Sequence, residues 1–189
     1  MKNLPFSILL ATFALAACDN DRVTTNQPIP PPLPASMPAA ASVNLQSRSN
    51  SQVGGALSLT AAEGGVLVSG RVTGLAPDSE HGFHVHETGD CSAPDGTSAG
   101  AHFNPTGDRH GNPASLPRHV GDLPNIRADG TGVATVEMRV TGVTLGDGSP
   151  TDIARRAIVV HAKPDDYTSQ PAGDAGDRLA CGVIDYTPG

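Results

Sequence analysis

Tryptophan is absent from this 189-residue chain, and aromatic residues of all kinds make up only 3% of it. Whatever core it builds must rest on Val, Leu, Ile and Ala rather than on large rings. No run of apolar residues at helical spacing is long enough to specify a helix, so helices are not expected to carry the fold. Basic clusters are missing too. Lys and Arg number 12 against 19 acids, a formal net charge of -7. Such a balance leaves no surface to grip a phosphate backbone, and nucleic acid is not expected as a partner. The one long apolar run, Phe6 to Ala17, is too short to span a bilayer comfortably. Cysteine is scarce, at three residues.

The apolar run follows Lys2 and ends in Leu15-Ala16-Ala17-Cys18. A positive start, a short apolar stretch and small residues before a cysteine resemble a bacterial lipoprotein signal. In such signals the chain is cut before the cysteine and lipid is attached to its sulfur. An ordinary secretory peptide with an incidental cysteine is the alternative, and both readings export the protein. Residues 1–17 are therefore read as a signal peptide and 18–42 as a lipid-anchored tether. The tether carries Pro28, Pro30, Pro31, Pro32, Pro34 and Pro38. A stretch of that kind buries no core and favours extended polyproline conformations. The expected location is the bacterial cell envelope, on the periplasmic side, anchored to a membrane through Cys18. Asp19 after the cysteine favours the inner membrane in some bacteria. With Cys18 lipidated, Cys91 and Cys181 remain. An even pair in an exported chain reads as one disulfide, with two free thiols as the alternative.

Residues 43–189 form one domain of short Val- and Leu-rich runs separated by turn residues. Strands are predicted at Ser42–Ser47, Val53–Thr60, Val66–Val72, His81–Glu87, Thr131–Val140, Ala157–Ala162 and Leu179–Asp185. Thr88 to about Arg127 has many Gly, Pro and Asp residues and little periodicity. A loop of that length is uncommon in a compact domain unless it is functional. Lys163–Asp177 is a second polar loop. The pattern predicts an all-β, antiparallel, eight-stranded Greek-key sandwich or barrel, immunoglobulin-like, with two long functional loops.

All seven histidines lie between positions 81 and 161, in predicted strands or in the first loop. Side chains alternate faces along a strand, so His84 and His86 point one way and Phe83 and Val85 the other, into the core. His81 shares the core parity and is expected to be structural. A His-x-His pair on a strand offers two imidazoles that one metal can span, although an incidental pair does so too. His102, His110, His119 and Asp122 follow in the loop, and His161 on a distant strand. Three His and one Asp can close a tetrahedral zinc site. His84, His86 and His161 make a histidine-only set suited to copper. A polar, solvated loop is the plainer reading.

Four blocks carry a resemblance. His81-Gly-Phe-His-Val-His86, Ala101-His-Phe-Asn-Pro105, Arg118-His-Val-Gly-Asp-Leu123 and Gly173-Asp-Ala-Gly-Asp-Arg-Leu-Ala-Cys-Gly182 resemble the signature blocks of copper/zinc superoxide dismutases, in the right order and spacing. The likeness covers roughly Val43 to Tyr186. It implies copper, one per chain, on His84, His86, His102 and His161. It implies zinc, one per chain, on His102, His110, His119 and Asp122, with His102 bridging the two. Asp165 matches an acid that hydrogen-bonds ligands of both metals, Cys91 and Cys181 match an intrasubunit disulfide, and Arg178 matches an arginine beside the copper. His81 matches a non-ligand histidine.

The implied reaction is dismutation of superoxide to dioxygen and hydrogen peroxide by alternate reduction and oxidation of the copper. Arg178 would supply fixed positive charge for a small anion that approaches an acidic protein, and His102 would release copper on reduction and take up a proton. The family is itself a standard illustration of electrostatic steering. The second loop differs from the long electrostatic loop of animal members. It is short, and Lys163 is its only cation before Arg178. The signal peptide and short loop resemble the bacterial envelope branch, where monomer and homodimer are both open. The competing reading is a non-enzymatic copper/zinc-binding lipoprotein of the envelope on the same sandwich, since fold alone does not fix activity. A zinc hydrolase would need an open zinc position, and four protein ligands leave none.

Overall fold

The computed structural model describes residues 39–186. The signal segment, Cys18 with its expected lipid, and the tether up to residue 38 lie outside the described residues. Nine strands follow in order: β1 (Ala40–Ser47), β2 (Gly54–Ala62), β3 (Gly65–Thr73), β4 (Glu80–His81), β5 (Phe83–His86), β6 (Ile126–Arg127), β7 (Ala134–Thr141), β8 (Ala157–His161) and β9 (Arg178–Tyr186). Seven of them form one sheet in the order β5-β8-β9-β1-β2-β3-β7, and β4 pairs with β6. Every pairing is antiparallel. β6 also lies beside β7, which brings the sheet round towards β4. The chain meanders through β1, β2 and β3, crosses to the far edge at β4 and β5, returns to β7 beside β3, and then fills in β8 and β9. That is a Greek-key path.

Alternation explains most of this. Val66, Val68 and Val72 of β3 are buried while Leu67 between them is exposed, and β1, β2 and β7 repeat the pattern with Val43 and Leu45, Leu57 and Leu59, and Val136 and Val140. These strands have one wet face, as antiparallel sheets commonly do. β5 and β8 are buried along their whole length. Their second face is covered by the two long loops. The first loop also satisfies the free edge of β5. Val85 N–H donates to Gly121 O, Phe103 N–H donates to Val85 O, and Glu87 N–H donates to Ala101 O. Among the described residues the only helical turn is a 3-10 turn at Thr97–Ala99.

The strand expected over His81–Glu87 is two segments, broken at Gly82. Gly82 N–H donates to Lys163 O, and Gly82 O accepts from His161 N–H. A Cβ at Gly82 would lie 2.9 Å from the Ala175 methyl and 3.2 Å from the His84 ring, so only glycine passes here. Counted with β5 as one interrupted strand, β4 brings the total to eight.

Candidate metal centre

β5 carries His84 and His86 on the face opposite Phe83 and Val85, which join the hydrophobic core. The first loop lays His102 against His86 and Asp122 against His84 as isolated β-bridges. β8 delivers His161 from the other side of β5. A bulge between Val160 and His161 shifts the register there, so His161 sits opposite Arg178 at the start of β9. Bulges re-aim side chains in this way.

Two groups result. The ligand atoms of His84, His86, His102 and His161 all lie within 4.8 Å of one another, and so do those of His102, His110, His119 and Asp122. His102 belongs to both. All seven residues are buried. The structure brings together every residue expected for the two sites. His81 stands apart: its Nδ1 faces His161 O at 2.7 Å and its Nε2 the Ser79 hydroxyl at 2.7 Å.

The hydrogen bonds fix which nitrogen of each ring is free. His84 Nε2 donates to Asp165 Oδ2 at 2.8 Å, which leaves Nδ1 bare, buried and without a partner. His86 Nδ1 donates to Gly100 O at 3.0 Å and His161 Nδ1 to Gly176 O at 3.1 Å. Their bare Nε2 atoms then face each other at 3.3 Å. Two lone pairs at that separation repel unless a cation lies between them. His102 Nε2 is also buried without a partner. In the second group a single atom, Asp122 Oδ1, faces the Nδ1 atoms of His102, His110 and His119 at 2.9, 3.0 and 3.3 Å. Its other oxygen accepts from the N–H groups of Gly111 and His119 at 3.0 and 2.8 Å. His110 Nε2 donates to Asp165 Oδ1 at 2.9 Å, so His110 Nδ1 is free to face the cluster. Asp165 thus orients one ring from each group through its two oxygens. Both groups fit a bound cation: an imidazole-only set suited to copper, and three imidazoles with a carboxylate suited to zinc.

Protonation follows from the same surroundings. Burial, with the neighbouring rings, lowers His161 to about 3 and lowers His86 well below the ordinary histidine value. Burial also takes His102 down to about 4. His86, His102 and His161 are therefore neutral at pH 7, with their lone pairs available. His110 goes the other way. Burial opposes its charge, but the hydrogen bonds to Asp122 and Asp165 outweigh burial and push it up to about 9. Burial would likewise raise Asp122 and Asp165, yet their hydrogen bonds with the histidines hold both well below the usual carboxylate range. A cation held by His110 Nδ1 would have to displace the proton that these two carboxylates favour on the ring.

A cleft of about 570 Å3 opens over the first group, lined by His86, His102, His161, Pro171, Ala172 and Arg178 among others. Arg178 donates to Gly96 O at 2.8 Å and to Gly100 O at 2.7 Å. Gly100 O is also the acceptor for His86, so one carbonyl positions both side chains. The Cys91–Cys181 disulfide, with Cα atoms 5.7 Å apart, ties this loop to β9. Lys163 is ion-paired with Asp174 at 3.2 Å, both largely exposed.

Several contributors went unseen in the sequence. Asn125 donates to Asp165 O, accepts from Asp165 N–H, and donates its own N–H to the Tyr167 hydroxyl. Gln170 bonds the backbone of His110. Gly100 and Gly176 act through their carbonyls. Backbone acceptors carry no residue signature, and isolated polar side chains in a loop without period give no pattern to find.

An antiparallel β-barrel with two loops closing over a shared-histidine pair of cation sites defines a two-metal protein. The comparisons with known proteins say which kind. The family model described as copper/zinc superoxide dismutase (SODC) matches residues 53–184. Superoxide dismutase (Cu-Zn) 2 of Aquifex aeolicus (strain VF5) is 44% identical over 138 residues, covering 70% of this chain and 80% of that protein. The superoxide dismutase (Cu-Zn) of Paramecium bursaria Chlorella virus 1 is 48% identical over 128 residues, covering 64% of this chain and 66% of that protein. The crystal structure of the clock protein EA4 matches with a TM-score of 0.71 at 38% identity, covering 82% of this chain and 99% of that one. That of a SOD-like protein from Bacillus subtilis matches with a TM-score of 0.69 at 33% identity, covering 76% and 97%. The chain belongs to the copper/zinc superoxide dismutase family.

Proposed function

We propose that the chain dismutates superoxide at a copper held by His84, His86, His102 and His161, beside a zinc held by His102, His110, His119 and Asp122. The observation that carries the assignment is the facing pair of bare Nε2 atoms on His86 and His161, together with the buried unpaired His84 Nδ1 and His102 Nε2. Copper supplies one-electron chemistry that turns one superoxide into dioxygen and a second, with two protons, into hydrogen peroxide, while zinc supplies a fixed charge without redox chemistry.

The chain's own residues do the rest. Gly100 O and Gly176 O hold the rings of His86 and His161 in one tautomer, and Asp165 does so for His84 and His110, as acceptors behind metal-bound imidazoles do. His102 offers one nitrogen to each set. When its Nε2 is free that atom faces the cleft and can hold a proton, while Nδ1 stays with the Asp122 cluster. Arg178, fixed by two carbonyls at the cleft, offers charge and donors to an incoming anion.

Arg178→Glu is expected to lower the second-order rate with superoxide by at least tenfold while both metals stay bound, since the change reverses a charge beside the substrate. Metal analysis and pulse-radiolysis kinetics on the same sample check it. An unchanged rate would remove Arg178 from the mechanism.

We further infer that Cys18 carries lipid and that 18–42 tethers the domain to a membrane on the periplasmic side of a bacterial envelope, as monomer or homodimer. The lipobox-like Leu15-Ala16-Ala17-Cys18 and the proline-rich stretch support this. Cys18→Ser should release the protein from the membrane fraction into the soluble periplasmic one. A variant that remains in the membrane fraction would count against the anchor.

A further inference from the structure

Resting on the zinc assignment above, we infer that Gln170 is a positioning residue that locks the second loop to the backbone of His110, so that the zinc set and the wall of the substrate cleft are held as one piece. Asp165 touches only the ring of His110. Gln170 touches its backbone, in both directions. His110 N–H donates to Gln170 Oε1 at 3.0 Å, and Gln170 Nε2 donates to His110 O at 3.0 Å. The same amide donates to Thr168 O at 3.1 Å, which fixes the side chain relative to its own loop. A primary amide satisfies all three bonds because it is donor and acceptor at once.

The position of Gln170 in the chain gives the clamp its consequence. Pro171 and Ala172, the next two residues, line the cleft over the copper set. A second, smaller cleft of about 280 Å3 reaches His110 and is lined by Arg109, Tyr167 and Thr168 as well as Gln170. Gln170 therefore borders a cleft that reaches His110, and its immediate neighbours shape the substrate mouth. Other bonds between the loops, Asn125 with Asp165 and with Tyr167, join the base of the second loop. Among the described residues, Gln170 alone in that loop bonds the backbone of a zinc-set residue by its side chain.

The test uses the full chain loaded with copper and zinc, alongside Gln170→Met, which keeps length and loses both bonds to His110 and the one to Thr168, and Gln170→Glu, which keeps the acceptor and loses the donor. Three readings are taken: zinc release to a chelator, amide exchange, and the second-order rate with superoxide at full metal occupancy. The expected result is zinc release about tenfold faster in Gln170→Met, the scale of two lost neutral hydrogen bonds. Faster exchange should be confined to the His110 amide and to the second loop, with the amides of β1 to β3 unchanged. The superoxide rate should fall in step as Pro171 and Ala172 lose their anchor. Gln170→Glu should also release zinc faster than the unmodified chain, since its carboxylate faces His110 O. Zinc release and His110 exchange at the unmodified rate in both variants would overturn the inference. So would a uniform rise in exchange across the barrel, which marks a merely structural residue. An unmodified chain that holds no zinc would instead contradict the site assignment on which the inference rests.

Discussion

At the scale of single residues, the centre depends on groups that fix other groups. Gly173 is the sharpest case. Its φ is +66°, a left-handed conformation, and a Cβ there would run into the carboxylate of Asp165 and lie 2.8 Å from His110 Nε2. Gly173→Ala is therefore expected to push Asp165 off His110, and zinc affinity should fall by about tenfold or more, the usual cost of losing a partner to a metal-bound histidine. Competition with a zinc chelator measures it, and an affinity equal to that of the unmodified chain would show that the loop yields without disturbing Asp165. Much of this scale was legible. Strand parity separates His84 and His86 from Phe83 and Val85, and it marks His81 as structural, where it bonds Ser79 and the backbone of His161. Asn125, Tyr167 and Gln170 were not legible, because a loop side chain that bonds a distant backbone leaves no spacing to read.

At the scale of elements, the strands were read by their alternation and the loops were not. One face of β1, β2, β3 and β7 is wet, so their sequences keep a period of two. Gly82 interrupts the run from Glu80 to His86 for a tertiary reason, the close approach of Ala175 and His84, which no local signal announces. The first loop is ordered by pairing with the edge of β5 and by the disulfide to β9. Its Gly96 and Gly100 carbonyls hold Arg178. Replacing both Cys91 and Cys181 by Ser is expected to cost about 2–5 kcal/mol of stability. It should also lower activity at full metal occupancy, because the carbonyls that aim Arg178 lose their tie. Denaturant melts and steady-state kinetics check both, and a variant matching the unmodified chain in both would free the loop of this role.

At the scale of the whole molecule, a chain of net charge -7 acts on an anion. The local field at one cleft must therefore outweigh the global charge. Lys163, the one cation of the second loop, is ion-paired with Asp174, and Arg178 at the start of β9 is the cation that lines the cleft. The barrel supplies a rigid edge, two loops close over it, and seven buried side chains converge from β5, β8 and the first loop into two adjoining sets. Family membership was legible from the four sequence blocks; the tautomers that make the sets complementary to cations were not, because they depend on carbonyls and on Asp165.

The most direct test of this account is metal content measured together with superoxide-dismuting activity, on the chain reconstituted with copper and zinc. The account predicts about one copper and one zinc per chain, with activity that disappears when copper alone is withdrawn and with His102 shared between the metals. Stoichiometric metal without copper-dependent activity would contradict it, and would leave a protein that binds the two metals without turning over superoxide.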